Sequence, residues 1–352
     1  MMRRSSRLSM PTTTPLPTAT TQVRLKSRPE GIPQAEHFEI AEAPLPALRD
    51  GELLVRNDFL SVEPAMRGWV NAAANYLQPV GIGEVMRSFA AGEVVASKHE
   101  GFKAGDRVTG MLGWQTYAVV GPGAVTRKVT KSDLPLSYSL GILGLTGVTA
   151  YFGLLDLGRP RPGDTVVVST AAGAVGSAVG QIAKLAGCRT VGIAGGPHKT
   201  RLCVEAFGYD AAVDYKADDF ATALAEACGD GVNVYFDNTS GAISDTVLQH
   251  LAIGARVVIC GTASIANWSP LPLGPRVERH LLTKRAQMSG FIVLDYQHRY
   301  GEALARLAAW LREGKLTCRE DILEGIEACP DAIARLYRGE NIGKLLVRLH
   351  HA

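Results

Sequence analysis

Residues Ala171-Ala-Gly-Ala-Val-Gly176, followed by Ser177, have the types and spacing to hold a dinucleotide pyrophosphate. They form an A-x-G-x-x-G variant of the G-x-G-x-x-G fingerprint. Gly173 lets the backbone approach the pyrophosphate, and Gly176 lets the next helix pack closely on the strand. The start of that helix supplies N–H donors and a partial positive charge for the phosphates. A glycine triplet says little without its flanks. Here Thr165-Val-Val-Val-Ser169 reads as a strand buried on both faces, and Ala178 to Ala186 reads as a helix.

The second strand, Thr190-Val-Gly-Ile-Ala194, selects the form of the cofactor. A site for NAD places Asp or Glu at its end, to bind the ribose 2′-hydroxyl. Here Ala194, Gly195 and Gly196 stand at that place, and the nearest carboxylate along the chain is Glu205. His198, Lys199 and Arg201 follow instead. Small residues admit a 2′-phosphate and a cation neutralises it, so the expected cofactor is NADPH.

Zinc needs three or four His, Cys or carboxylate ligands. No cysteine precedes residue 141, and His37 and His99 are isolated. No metal site is expected, and hydride chemistry that relies on zinc as Lewis acid is set aside.

The elements around the glycine turn predict an α/β fold. After residue 140 strands and helices alternate: helix over Lys199 to Phe207, strand over Val232 to Phe236, helix over Ile243 to His250, strand over Ala255 to Cys260, strand over Gln287 to Val293, helix over Arg299 to Glu313. That alternation means a doubly wound parallel sheet. Residues 36 to 130 hold short strand-like runs punctuated by Gly, Pro and Asp, which predict an irregular β barrel or sandwich. Lys344 to Leu349 reads as a terminal strand that returns to this first sheet. The expected division is a tail over 1–20, a β domain over 21–140 and 318–352, and a nucleotide-binding domain over 141–317.

Composition bounds the rest. Six cations and no acid fall in residues 1 to 28, and without them the chain is mildly acidic, which argues against a nucleic-acid partner. The first 20 residues lack the apolar run of a secretory signal. A transit peptide or a start at Met10 fits their composition, and a disordered tail is the reading adopted. No run of 18 apolar residues predicts a membrane span. The six cysteines form no C-x-x-C pair and read as thiols in a reducing compartment, the cytoplasm.

Several ordered segments resemble the zinc-independent medium-chain dehydrogenase/reductases, in the branch of leukotriene hydroxydehydrogenase/prostaglandin reductases and plant double-bond reductases. They include Leu60-Ser-Val-Glu-Pro-Ala-Met-Arg-Gly68, Gly83-Glu-Val-Met86, Thr146-Gly-Val-Thr-Ala-Tyr-Phe-Gly-Leu154, Asp214-Tyr-Lys216, Phe236-Asp-Asn238 and Gly339-Glu-Asn-Ile-Gly-Lys344. The resemblance implies a chaperonin-10-like β barrel beside a Rossmann domain, in a homodimer. It implies that Gly173, Ala174, Val175, Gly176 and Ser177 meet the pyrophosphate, with Gly195 leaving room for the 2′-phosphate that Lys199 and Tyr215 hold. Asn238, Cys260, Gly261, Thr262 and Ser264 would lie along the riboses. Phe291, Ile292 and Val293 would meet the carboxamide, and Asn341 would close over the cofactor.

The implied reaction is NADPH-dependent reduction of a carbon–carbon double bond conjugated to a carbonyl, in an enone or enal. Hydride reaches the β-carbon, the ribose 2′-hydroxyl and a tyrosine steady the enolate oxygen, and the α-carbon takes a proton from water. Two family tyrosines are absent, replaced by Ala65 and Thr283. Tyr76 is the first candidate donor in their stead and Tyr296 the second. A quinone oxidoreductase, a non-catalytic NADPH-binding regulator and a metal-free alcohol dehydrogenase remain as rivals.

Overall fold

A computed structural model describes residues 15–72, 77–130, 133–265, 270 and 272–351. The chain builds two main sheets. The first domain contains β1 (Ala19–Leu25), β2 (Phe38–Pro44), β3 (Leu53–Ser61), β4 (Phe89–Ser97), β5 (Arg107–Met111), β6 (Tyr117–Val120) and β7 (Val125–Lys128), with a single helical turn, α1 (Met66–Trp69). β1 already includes Ala19 and Thr20, paired with Pro44 and Ala43, so the strand begins within the stretch expected to be tail.

The second domain opens with α2 (Leu145–Phe152). Then β8 (Thr165–Ser169), α3 (Ala174–Leu185), β9 (Arg189–Ala194), α4 (Pro197–Phe207), β10 (Ala211–Asp214), α5 (Phe220–Cys228), β11 (Val232–Asp237), α6 (Gly241–Leu248), β12 (Leu251–Ile259), α7 (Glu278–Lys284), β13 (Gln287–Gly290) and α8 (Tyr300–Arg312) follow. The six strands pair in parallel in the order β10-β9-β8-β11-β12-β13, the doubly wound arrangement expected. All five residues of β8 are buried, because helices cover both faces of the sheet. Val166 and Val168 join a cluster with Ile182 of α3 and Leu307 of α8, whereas Val167 joins one with Leu224 of α5 and Val247 of α6. Each such valine contributes about 1.5–3 kcal/mol by leaving water.

Three expectations need correction. β10 and α5 were not anticipated: Ala211-Ala-Val-Asp214 has one β-branched residue and becomes a strand by pairing with β9 at the sheet edge. α7 likewise lies where no element was expected. The strand expected to reach Val293 ends at Gly290, where pairing with β12 stops, and Val293–Arg299 turns as 3₁₀-helix.

The end of the chain returns to the first domain. After β14 (Glu320–Glu324) and α9 (Cys329–Arg338), β15 (Lys344–Arg348) lies between β14 and β3, with Leu346 opposite Ser61. The terminal strand therefore completes the first sheet, as its pattern suggested.

Candidate active site

The glycine turn is shaped by one strained residue. Thr170 sits at φ +55°, so its carbonyl points back under the turn and accepts the Gly173 N–H at 2.9 Å. A Cβ on Gly176 would lie 2.2 Å from that carbonyl oxygen. α3 begins at Ala174 with no side-chain cap, which leaves its leading N–H groups for an external acceptor. Tyr209 fixes the helix from behind: its hydroxyl donates to Gly176 O at 2.6 Å, and burial holds its phenol well above the ordinary pKa.

The end of β9 carries the second half of the cradle. Gly195 lies beneath Tyr215 and Lys216, and a Cβ there would come within 2.9 Å of the tyrosine ring and 3.0 Å of the lysine stem. Asp214 reaches across from β10, and its carboxylate accepts N–H bonds from Gly196 and Lys216. Spatially this carboxylate, not Glu205, is the neighbour of the turn, and its Oδ1 is committed to those amides. Lys199 is half-buried, and burial and then the Lys216 charge lower its pKa. Among the described residues neither ammonium makes an ion pair. Lys216, which the sequence motif left without a role, is thus a second cation beside Lys199. Two neighbouring cations, one of them over Gly195, suit a phosphate and not a bare hydroxyl.

A strap from the first domain crosses this cradle. Gly343 donates its N–H to Ala172 O at 2.9 Å and bridges Gly173. Asn341 is buried in the strap, its amide donating to Gly343 O. Gly339, at the end of α9, lies against Lys199. Lys344, which follows Gly343, is anchored on the far side by Ser61 Oγ at 2.6 Å and Val62 O at 2.8 Å.

Beyond the turn, the buried Asp237 carboxylate gathers the ends of β8 and β11. It accepts from Ser169 Oγ, the Tyr235 hydroxyl, Thr239 N and Ser240 N. Asn238 is thereby held with its amide on Ser169 O at 2.7 Å. Cys260 and Gly261 donate to Asp237 O, and Ser264 to Thr239 O, which lays Thr262 and its neighbours beside the same strand ends. These positions lie at the carboxyl ends of β8, β11 and β12, where such sheets bind ligands.

Phe291 turns inward onto Gly153 and Phe236, while Ile292 stays exposed and Val293 opens the 3₁₀ turn. The Tyr296 ring stacks on Phe152 at 4.8 Å and meets Phe291 edge-on. Burial raises its pKa, so it remains a neutral hydroxyl. Thr283 spends its hydroxyl on the Arg279 carbonyl of its own helix, and Ala65 offers no polar group. Tyr76 lies outside the described residues. Among the described residues, no three His, Cys, Asp or Glu side chains gather as metal ligands, and no helix is long and apolar enough to cross a membrane.

Residues 21–129 match the family described as the N-terminal domain of oxidoreductase, and residues 174–309 the family described as zinc-binding dehydrogenase. An NADPH-dependent curcumin reductase of Escherichia coli is 41% identical over 92% of this chain and 95% of its own. An NADP(+)-dependent 2-alkenal reductase of Nicotiana tabacum is 37% identical over 93% of this chain and 96% of its own. The crystal structure of CurA from Vibrio vulnificus in complex with NADPH superposes with a TM-score of 0.89, at 44% identity, over 94% of this chain and all of that one.

Proposed function

Since the chain belongs to the zinc-independent medium-chain dehydrogenase/reductases, in the branch of curcumin, 2-alkenal and prostaglandin reductases, we propose that it reduces the carbon–carbon double bond of α,β-unsaturated ketones or aldehydes with NADPH. The observation that carries the cofactor assignment is Lys216 over Gly195 with Lys199 close enough to feel its charge, and Asp214 turned to the backbone. Ala174 to Ser177 would hold the pyrophosphate at the uncapped start of α3. Tyr215 would flank the 2′-phosphate. Asn238, Cys260, Gly261, Thr262 and Ser264 would line the riboses, Phe291 to Val293 the nicotinamide, and Asn341 would cover it.

NADPH, when bound, supplies the hydride. The chain's own task is to place the substrate, exclude bulk water and steady the oxygen on which negative charge develops. A single placed donor is worth about 3–4 kcal/mol there. With Ala65 and Thr283 unable to serve, Tyr76 and then Tyr296 are the phenols assigned to it. The neutral Tyr296 hydroxyl keeps its proton across the physiological range, as a donor must. Proton delivery to the α-carbon is left to water.

The direct test is NADPH oxidation by purified protein across enals, cyclic enones and quinones. Turnover of enals and enones is the expected result; activity confined to quinones, or none at all, overturns the reading. Within it, Tyr76→Phe lowers kcat at least about fivefold, by removal of one oxyanion donor. Unchanged kinetics take Tyr76 out of the mechanism.

The same reading includes a homodimer. β13 is the last strand of its sheet, and Leu282, Ile292 and Leu294 on the flanking segments expose apolar side chains. Such an edge favours a second copy over water. Sedimentation should give twice the chain mass, and a monomer at micromolar concentration rejects the dimer. The cytoplasm is assigned on six free thiols.

A further inference from the structure

Arg67 is a buried arginine whose hydrogen bonds run to backbone carbonyls. It stands on α1, in the first domain, and is 8% exposed. Among the described residues it makes no ion pair. Its guanidinium donates instead to three backbone carbonyls of the other domain: Ile265 O at 2.5 Å, and Thr262 O and Ala263 O at 3.4 Å each. These belong to the loop after β12.

The loop's own domain satisfies its N–H groups. Its N–H groups at Cys260, Gly261, Ala263 and Ser264 bond to the carbonyls of Asp237, Asn238 and Thr239. The Thr262 carbonyl accepts the Ile265 N–H at 3.0 Å within the loop, and it and the carbonyls of Ala263 and Ile265 all accept from Arg67. A guanidinium carries five donors in a planar fork, so one side chain can serve all three; an ammonium cannot match that geometry.

The fork is itself held. The Tyr337 ring of α9 lies 4.5 Å beneath the guanidinium carbon, and its hydroxyl donates to Pro64 O at 2.8 Å, at the approach to α1. Stacking on an aromatic face and bonding to carbonyl dipoles together replace the water that a buried guanidinium has lost. α9 also leads into the strap that carries Asn341. The loop and the strap are thus fastened to one body.

We infer that Arg67 is a positioning residue for the cofactor. It holds Thr262–Ile265 in one shape only while the two domains are closed on each other, so affinity for the dinucleotide depends on a residue of the first domain. This rests on the NADPH reading above. It gives the loop two supports, one in each domain, and makes the second conditional on closure.

The test compares the full chain with Arg67→Lys and Arg67→Ala, following NADPH affinity by cofactor fluorescence and Tm with and without NADPH. Loss of two charge-assisted bonds lowers NADPH affinity about tenfold in Arg67→Lys. The rise in Tm that NADPH produces shrinks to match, while KM for the enone stays within about twofold. Should Arg67→Ala fail to fold, Arg67→Lys carries the comparison. Wild-type NADPH affinity in Arg67→Lys overturns the inference, even if its Tm is lowered, since that is what a merely structural role would give. A wild-type chain that binds no NADPH overturns the cofactor reading and this inference with it.

Discussion

Lys199→Ala raises the Michaelis constant for NADPH by about a hundredfold and leaves that for NADH within about twofold. The asymmetry follows from what the ammonium faces. Lys199 is half-buried, has no carboxylate partner among the described residues, and shares its space with Lys216. A 2′-phosphate is the group that relieves both cations, and NADH lacks it. Lys216→Ala moves in the same direction by less, because Lys216 lies nearer the surface. The same site sets a pH dependence. The charged form of Lys199 is the one that binds phosphate, and burial with the neighbouring charge moves its pKa below the usual 10.5. NADPH binding therefore weakens as pH rises, sooner than an ordinary lysine would allow, and Lys199→Ala loses that limb of the profile. Initial rates with both cofactors across alkaline pH measure it. An unchanged NADPH constant in Lys199→Ala rejects the assignment.

Gly176→Ala costs about 3 kcal/mol of stability and abolishes NADPH binding. The added Cβ would sit 2.2 Å from Thr170 O and 2.8 Å from Thr170 C. Both are backbone atoms of a residue already at φ +55°, and neither can turn aside as a side chain would. Relief requires moving α3 away from β8, which withdraws the donors at its start. Gly173→Ala is the milder comparison, since its Cβ first meets the Thr170 methyl at 2.8 Å. Gly123→Ala meets nothing within 4 Å and serves as control. Denaturant midpoints and the NADPH-induced change in Tm separate the three, and a Gly176→Ala chain that binds NADPH normally rejects the account.

Local pattern made the middle of the fold legible. The uninterrupted Thr165–Ser169 run, the glycine turn and the helix after it specify β8 and α3 because burial on both faces leaves few alternatives. Lys199 was legible for the same reason: it follows β9 at a set distance. Asp214 and Lys216 stood in a family-like segment but received no role there, because they join the cradle through the pairing of β10 with β9, and β10 carries almost no strand signal of its own. Arg67 stood in view within a family motif, but its partners are carbonyls nearly two hundred positions away, and backbone acceptors leave no mark on sequence. The end of β13 was misplaced because Phe291, Ile292 and Val293 continue an apolar pattern after the neighbouring strand has stopped.

The place of β15 bears on how the protein is made. Emerging from the ribosome, the first domain can pair β6 with Leu53–Arg56, but the end of β3 at Phe59–Ser61 stays bare on that edge, because β15 follows only after the nucleotide-binding domain. The whole nucleotide-binding domain is translated in between and can close around its own core first. Throughout that interval the N-terminal sheet is an unfinished template, open to any extended segment nearby. That open end of β3 is where a newly made chain is most exposed to mispairing until β15 arrives.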